Sequence, residues 1–185
     1  ALRKGHLYFL FKTTNVGSGP QKFALSIHPY FNLPERNWAE VDGLDGLPYR
    51  DTRNGHSTNG VWKGVMPITY WTDHVFFLAG KPLCAEIRDA QVKRNKWVSW
   101  FVQPTNRRLT PHIRVFSRDA EACWVWNPGE LWAAEGAPLC GELPDDAWRH
   151  ILSIEPSTME MKTAKPLLPG ESRVLTAEIS RVDSL

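Results

Sequence analysis

Apolar and polar residues alternate in short runs along most of the chain, and Gly, Pro, Asn or Asp closes each run. HLYFLFKTT, residues 6–14, is the first such run. NVGSGPQ, dense in turn formers, separates it from KFALSIHPYF, residues 22–31, and the pair predicts a β-hairpin. WAEVDGL (38–44), TDHVFFL (72–78), PLCAEIRD (82–89), KWVSWFVQ (96–103), PHIRVFS (111–117) and ACWVWNP (122–128) predict further strands. RHILSIEP (149–156) and SRVLTAEISRV (172–182) close the chain in the same manner. Helical periodicity is nearly absent, and 14 prolines oppose long helices. A helical turn is predicted only around LPDDAW, residues 143–148. Long loops are predicted at 48–64 and 128–144, and loops of that length tend to be functional or disordered. Many short strands at regular spacing make this an all-β chain, an antiparallel sandwich or barrel. No linker or repeat divides it, so residues 1–185 read as a single domain.

Composition changes this picture little. The chain of 185 residues is long enough for one ordinary core, with 42% hydrophobic and 23% charged residues. A net charge of +2 gives no strong pull toward nucleic acid or an anionic membrane. A basic stretch from Arg88 to Arg118, holding Lys93, Arg94, Lys96, Arg107, Arg108 and Arg114 with Trp97 and Trp100 among them, could serve a single-stranded nucleic acid, but a solvated sheet face accounts for it better. Nucleic acid is therefore not an expected partner. No apolar run is long enough to span a bilayer, and no signal peptide is visible. The chain opens Ala-Leu-Arg-Lys-Gly without an initiator methionine, which reads as a processed chain or a fragment. Three scattered cysteines, Cys84, Cys123 and Cys140, fit reduced thiols in an intracellular compartment, cytoplasmic or organellar.

Three polar residues stand out against apolar surroundings. His28 lies in FALSIHPYFNLP, residues 23–34, and a lone histidine on an apolar strand is more often a satisfied core residue than a catalyst. Glu155 lies among Ile151, Leu152 and Ile154, where burial would raise its pKa toward the range of a general base, unless it faces solvent. Asp73, in YWTDHVFF, is either a third polar site residue or a turn residue at a strand start. One histidine and one or two carboxylates suffice for acid/base chemistry without metal or cofactor. No phosphate-cradling Gly loop, nucleophile elbow, His-Glu-x-x-His or zinc-type Cys/His spacing is present. Nine tryptophans could offer stacking faces to a sugar, or could be core residues.

IHPYFNL, VDGLDGLPYRD, TDHVFFL, VWNPG, LPDDAW, SIEP and PLLPGES occur in an order that resembles the aldose 1-epimerase family, with GLDGLPYRD, VWNPG and PDD closer to its hexose-6-phosphate mutarotase branch. The resemblance implies an antiparallel β-sandwich of the galactose mutarotase type and interconversion of the α and β anomers of a hexose or hexose phosphate. It implies His28 as general acid on the ring oxygen, Glu155 as base on the anomeric hydroxyl, and Asp73 as a ligand of sugar hydroxyls. It implies no metal and no cofactor. His74 departs from the family, which more often has a basic residue after the aspartate.

The resemblance covers the C-terminal part of the family only. The N-terminal portion is lacking, so a sheet edge and an apolar face are expected to be uncovered, and a protein partner could cover them. Two alternatives to an enzyme follow: a catalytically inactive mutarotase-like subunit of a larger assembly, or a carbohydrate-binding module.

Overall fold

The computed structural model describes residues 2–3, 5–33, 39–53, 58–68, 71–89, 112–130, 146–158 and 164–182. They form thirteen strands: β1 (Leu2–Arg3), β2 (His6–Thr14), β3 (Tyr30–Asn32), β4 (Ala39–Asp42), β5 (Pro48–Asp51), β6 (Thr58–Val61), β7 (Met66–Pro67), β8 (Thr72–Phe77), β9 (Leu83–Asp89), β10 (His112–Ser117), β11 (Ala122–Asn127), β12 (Ile151–Ser157) and β13 (Ser172–Val182). A 3₁₀ turn at Ala147–Arg149 enters β12. Every ladder is antiparallel. One sheet runs β1-β2-β13-β10-β9-β4-β7 and the other β3-β12-β11-β8-β5-β6.

The two sheets face each other across one core. Val41, Leu83, Val115 and Leu175 come from the first sheet, and Phe31, Phe76, Val125, Leu152 and Ile154 from the second. Period-two alternation puts these residues inward and their neighbours outward. On the outer face of the seven-stranded sheet, Glu86 accepts from Arg88 and Arg114, and Arg88 also pairs with Asp42. Two arginines of the basic stretch are thus held in ion pairs. Lys93, Arg94, Lys96, Trp97, Trp100, Arg107 and Arg108, and the strand expected at 96–103, lie outside the described residues. Cys84 and Cys123 are free thiols.

Three expectations are corrected. No hairpin joins residues 6–14 to 22–31: β2 pairs along its whole length with β13 at the far end of the chain. Within 22–31 the ladder residues begin only at Tyr30, because Pro29 has no N–H to give a ladder. His28 therefore precedes β3 and is not on a strand. The loop expected at 48–64 contains β5 and β6, which form a hairpin with Tyr49 opposite Gly60 and Arg50 opposite Asn59. Thr-Asn-Gly-Val has weak intrinsic strand preference, and the partner strand imposes the conformation. The helical turn expected around 143–148 is met in its described part by the 3₁₀ turn at Ala147–Arg149; residues 143–145 are outside the described residues. Most of the loop expected at 128–144 is also outside them.

Gly43, just after β4, shows how closely neighbouring strands of the seven-stranded sheet are set. Its φ is +90°, and a Cβ built there would lie 1.9 Å from the Cys84 carbonyl oxygen. Both the left-handed backbone and the close approach exclude a side chain. Gly43→Ala is expected to lower stability by about 1–3 kcal/mol, read as a lower urea midpoint at unchanged m-value; an unchanged midpoint would show that β4 and β9 can separate without cost.

Candidate functional site

The site is on the outward face of the six-stranded sheet, and strand register builds it. Tyr30 lies opposite Ser153, Ser153 opposite Trp126, and Trp126 opposite Asp73, giving one row across four strands. Glu155, Trp124, Val75 and Arg50 form the next row on the same face. The segment before β3 also meets β12, through a bridge between Ser26 and Ser157. That bridge and the Tyr30–Ser153 pair share one register, which sets His28 across from Glu155. Alternation in Ser26-Ile27-His28-Pro29-Tyr30-Phe31 sends Ile27 and Phe31 into the core and leaves His28 on the site face.

The structure joins two of the three expected residues directly. His28 Nε2 lies 2.8 Å from Glu155 Oε1. The Glu155 side chain is 10% exposed and that of His28 43% exposed, so the carboxylate is enclosed and the imidazole half open to solvent. The imidazole packs on Tyr30, with ring centroids 4.7 Å apart, and edge-on to Trp126 at 5.6 Å. The hydrogen bond to Glu155 raises the pKa of His28 above the ordinary histidine value, and its carboxylate charge adds to this, while partial burial opposes it. Asp73 is on the same face but apart from this pair, with Trp126 between it and Ser153. Burial raises the Asp73 pKa, and the charges of Asp51 and Glu155 add to it; a hydrogen bond from Thr52 and the nearby Arg53 pull it down.

His74, next in sequence, points the other way. It is buried in the core, stacked on Tyr49 and edge-on to Trp62. Its Nδ1 has no hydrogen-bond partner among the described residues, and Nε2 is 3.7 Å from Asp51 Oδ2. Burial lowers its pKa, against the pull of Asp51. Asp51 itself is bound by Arg53, which also donates to the Trp71 carbonyl at 3.1 Å. The departure from the family at position 74 is therefore a core feature and not part of this face.

Sequence reasoning did not single out Ser153 or Tyr30, and it treated Trp126 only as one of nine tryptophans. The signal available was period two: Ser-x-His-x-Tyr, Trp-x-Trp and Ser-x-Glu-x-Ser each place polar or aromatic residues on the face opposite the core. Trp62 and Trp148 turn out to be packing residues, whereas Trp124 and Trp126 lie on the site face. Trp38, Trp97, Trp100 and Trp132 are outside the described residues. Among the described residues, no three His, Cys, Asp or Glu side chains gather as a metal site, and no helix is long and apolar enough to cross a membrane.

No family model and no curated protein matches the chain. Solved structures do match its fold. A protein assigned as a mutarotase from Salmonella typhimurium is similar with a TM-score of 0.69 at 20% identity, over 97% of this chain and 51% of its own. A galactose mutarotase related enzyme from Lactobacillus acidophilus has a TM-score of 0.65 at 14% identity, over 98% of this chain and 59% of its own. A galactose mutarotase-like protein from Lactobacillus casei has a TM-score of 0.62 at 14% identity, over 98% and 60%. The fold is thus the antiparallel β-sandwich of mutarotase and aldose 1-epimerase structures. The chain spans between half and three fifths of the length of those structures.

The two histidines on opposite faces of this sheet predict opposite pH slopes. A raised His28 pKa means that the folded state holds a proton the unfolded chain releases, so this stabilisation is complete below the ordinary value of about 6.5 and fades as pH rises through the raised value. A lowered His74 pKa means that the unfolded chain gains a proton the folded state refuses, so stability falls as pH drops below about 6.5. Urea titrations across pH are expected to give a maximum between these limbs. Glu155→Gln should flatten the alkaline limb and His74→Gln the acid limb; limbs unmoved by these changes would assign them to other groups.

Proposed function

We propose that this chain carries the acid/base pair of an aldose mutarotase acting on a hexose or hexose phosphate. The observation that supports this reading is the 2.8 Å contact between His28 Nε2 and Glu155 Oε1 in the floor of an aromatic-walled face. Opening a cyclic hemiacetal requires a proton on the ring oxygen and removal of one from the anomeric hydroxyl. Both oxygens are on the same carbon, so the acid and the base must be neighbours. His28 gives its Nε2 proton to the ring oxygen as the ring C–O bond breaks. Glu155 takes the hydroxyl proton as the carbonyl forms. The aldehyde then turns about its bond to C2 and the two transfers reverse on the other face, which returns both protons. His28 must begin charged and Glu155 ionised, and the hydrogen bond to Glu155 raises the His28 pKa in that direction. Asp73 accepts hydrogen bonds from sugar hydroxyls across Trp126, and the exposed rings offer the apolar surface on which a pyranose stacks.

Saturation-transfer NMR on the anomers of glucose and glucose 6-phosphate tests this. Added protein is expected to speed exchange, and His28→Ala or Glu155→Gln to slow it by about 10²–10⁴-fold each. Full exchange rates in either variant would exclude the assignment. The ratio of rates for the two sugars decides the phosphate preference.

One feature favours the second reading, a mutarotase-like subunit completed by another polypeptide. Leu7, Phe9 and Phe11 of β2 point to the core side of their sheet, yet Leu7 is 37% and Phe11 46% exposed. Leu10 on the opposite face is 71% exposed. Among the described residues, the outer edge of β2 is paired only at His6 and Leu7, by the two residues of β1. A polypeptide that extends the six-stranded sheet past β3 would cover this overhang and border His28. The isolated chain is expected to self-associate in light scattering, and Leu10→Lys with Phe11→Lys to return it to a monomer. A monodisperse unmodified monomer that binds no apolar dye would count against this subunit reading.

A further inference from the structure

β12 addresses both nitrogens of the His28 ring. Glu155 faces Nε2, and Ser153, two residues earlier on the same face, places Oγ 3.3 Å from Nδ1. Ser153 is wholly buried. Its hydroxyl also lies 2.9 Å from the carbonyl of Pro29, the residue after His28. A carbonyl can only accept, so the hydroxyl proton is committed to Pro29. Toward the ring the same oxygen offers lone pairs, and Nδ1 must supply the hydrogen. The backbone carbonyl of His28 is a second acceptor for the ring. Tyr30 and Trp126 restrict the plane of the imidazole, but apolar ring contacts do not distinguish its two nitrogens. Ser153 does.

We propose that Ser153 is the positioning residue of His28: it accepts the Nδ1 hydrogen, ties the ring to Pro29, and so makes Nε2 the nitrogen that gives and regains the mobile proton beside Glu155. This rests on the reading of His28 as the acid and extends it to the atom concerned. After Nε2 has given its proton to the ring oxygen, the neutral imidazole keeps Nδ1–H against Ser153 and presents the Nε2 lone pair to the open-chain hydroxyl for the return step. One strand thereby carries the base and the group that aims the acid, and the two cannot drift apart. Glu155 is the charged group at the ring, and Asp73 shares the face beyond Trp126.

Long-range ¹H–¹⁵N NMR of the ring nitrogens, recorded across pH on the whole chain without sugar, tests the proposal. In Ser153→Ala the charged ring loses an acceptor, and the His28 midpoint is expected to fall by about half a pH unit or more. Ser153→Thr, which keeps the hydroxyl, should restore it. In Glu155→Ala, where no carboxylate competes at Nε2, the neutral ring should remain in the Nδ1–H form. An unchanged midpoint in folded Ser153→Ala overturns the proposal, and so does an Nε2–H neutral ring in Glu155→Ala; the second holds even if Ser153→Ala does not fold. Neither readout involves a sugar, so absence of anomer exchange counts against the proposed function and not against the role of Ser153.

Discussion

A carboxylate on a strand that is buried on both faces must have a partner, and much of this structure is arranged around that requirement. All seven residues of β12 are buried. Leu152 and Ile154 face the core between the sheets, which leaves Ser153 and Glu155 on the other side, under the segment that leads into β3. An ionised glutamate there without a compensating group would cost several kcal/mol. The segment meets that demand by keeping the register of β3 past Pro29, which sets an imidazole across from the carboxylate.

Two strands away from β12, β8 shows the opposite solution. Asp73 and His74 are adjacent, so they must fall on opposite faces. Asp73 goes to the open face and keeps a carboxyl that burial makes reluctant to ionise. His74 goes inward among Tyr49, Trp62 and Phe76, where burial makes it reluctant to charge. Two histidines on one sheet are therefore pushed in opposite directions by what faces them.

Alternation along the chain was enough to read β2, β9, β10, β11, β12 and β13 close to their observed ends, because each packs one face inward. It could not say which strands are partners. The pattern near residues 6–31 reads as a hairpin, yet the partner of β2 lies at the other end of the chain, and no local signal records that. β5 and β6 were read as loop because Pro48 and Gly60 weaken the pattern, while their pairing with each other and with β8 makes them strands. His28 and Glu155 were legible as polar residues in apolar company. Their contact follows from the register between distant segments, which composition does not encode. Ser153 was invisible for a simpler reason: a serine on a strand is ordinary until its two partners are known.

The ladder between β2 and β13 has a consequence for how the protein is made. Phe11 pairs with Leu175 and His6 with Ser180, so during synthesis β2 has to wait for β13. Until then Phe9, Leu10 and Phe11 lack their β13 partners and form an apolar stretch of unpaired strand. Closing so distant a contact is slow, and unpaired strand edges are prone to associate in the meantime. The seven-stranded sheet can therefore be completed only after β13 has been made, and a β2 held by a chaperone until then would fold more cleanly than one left free.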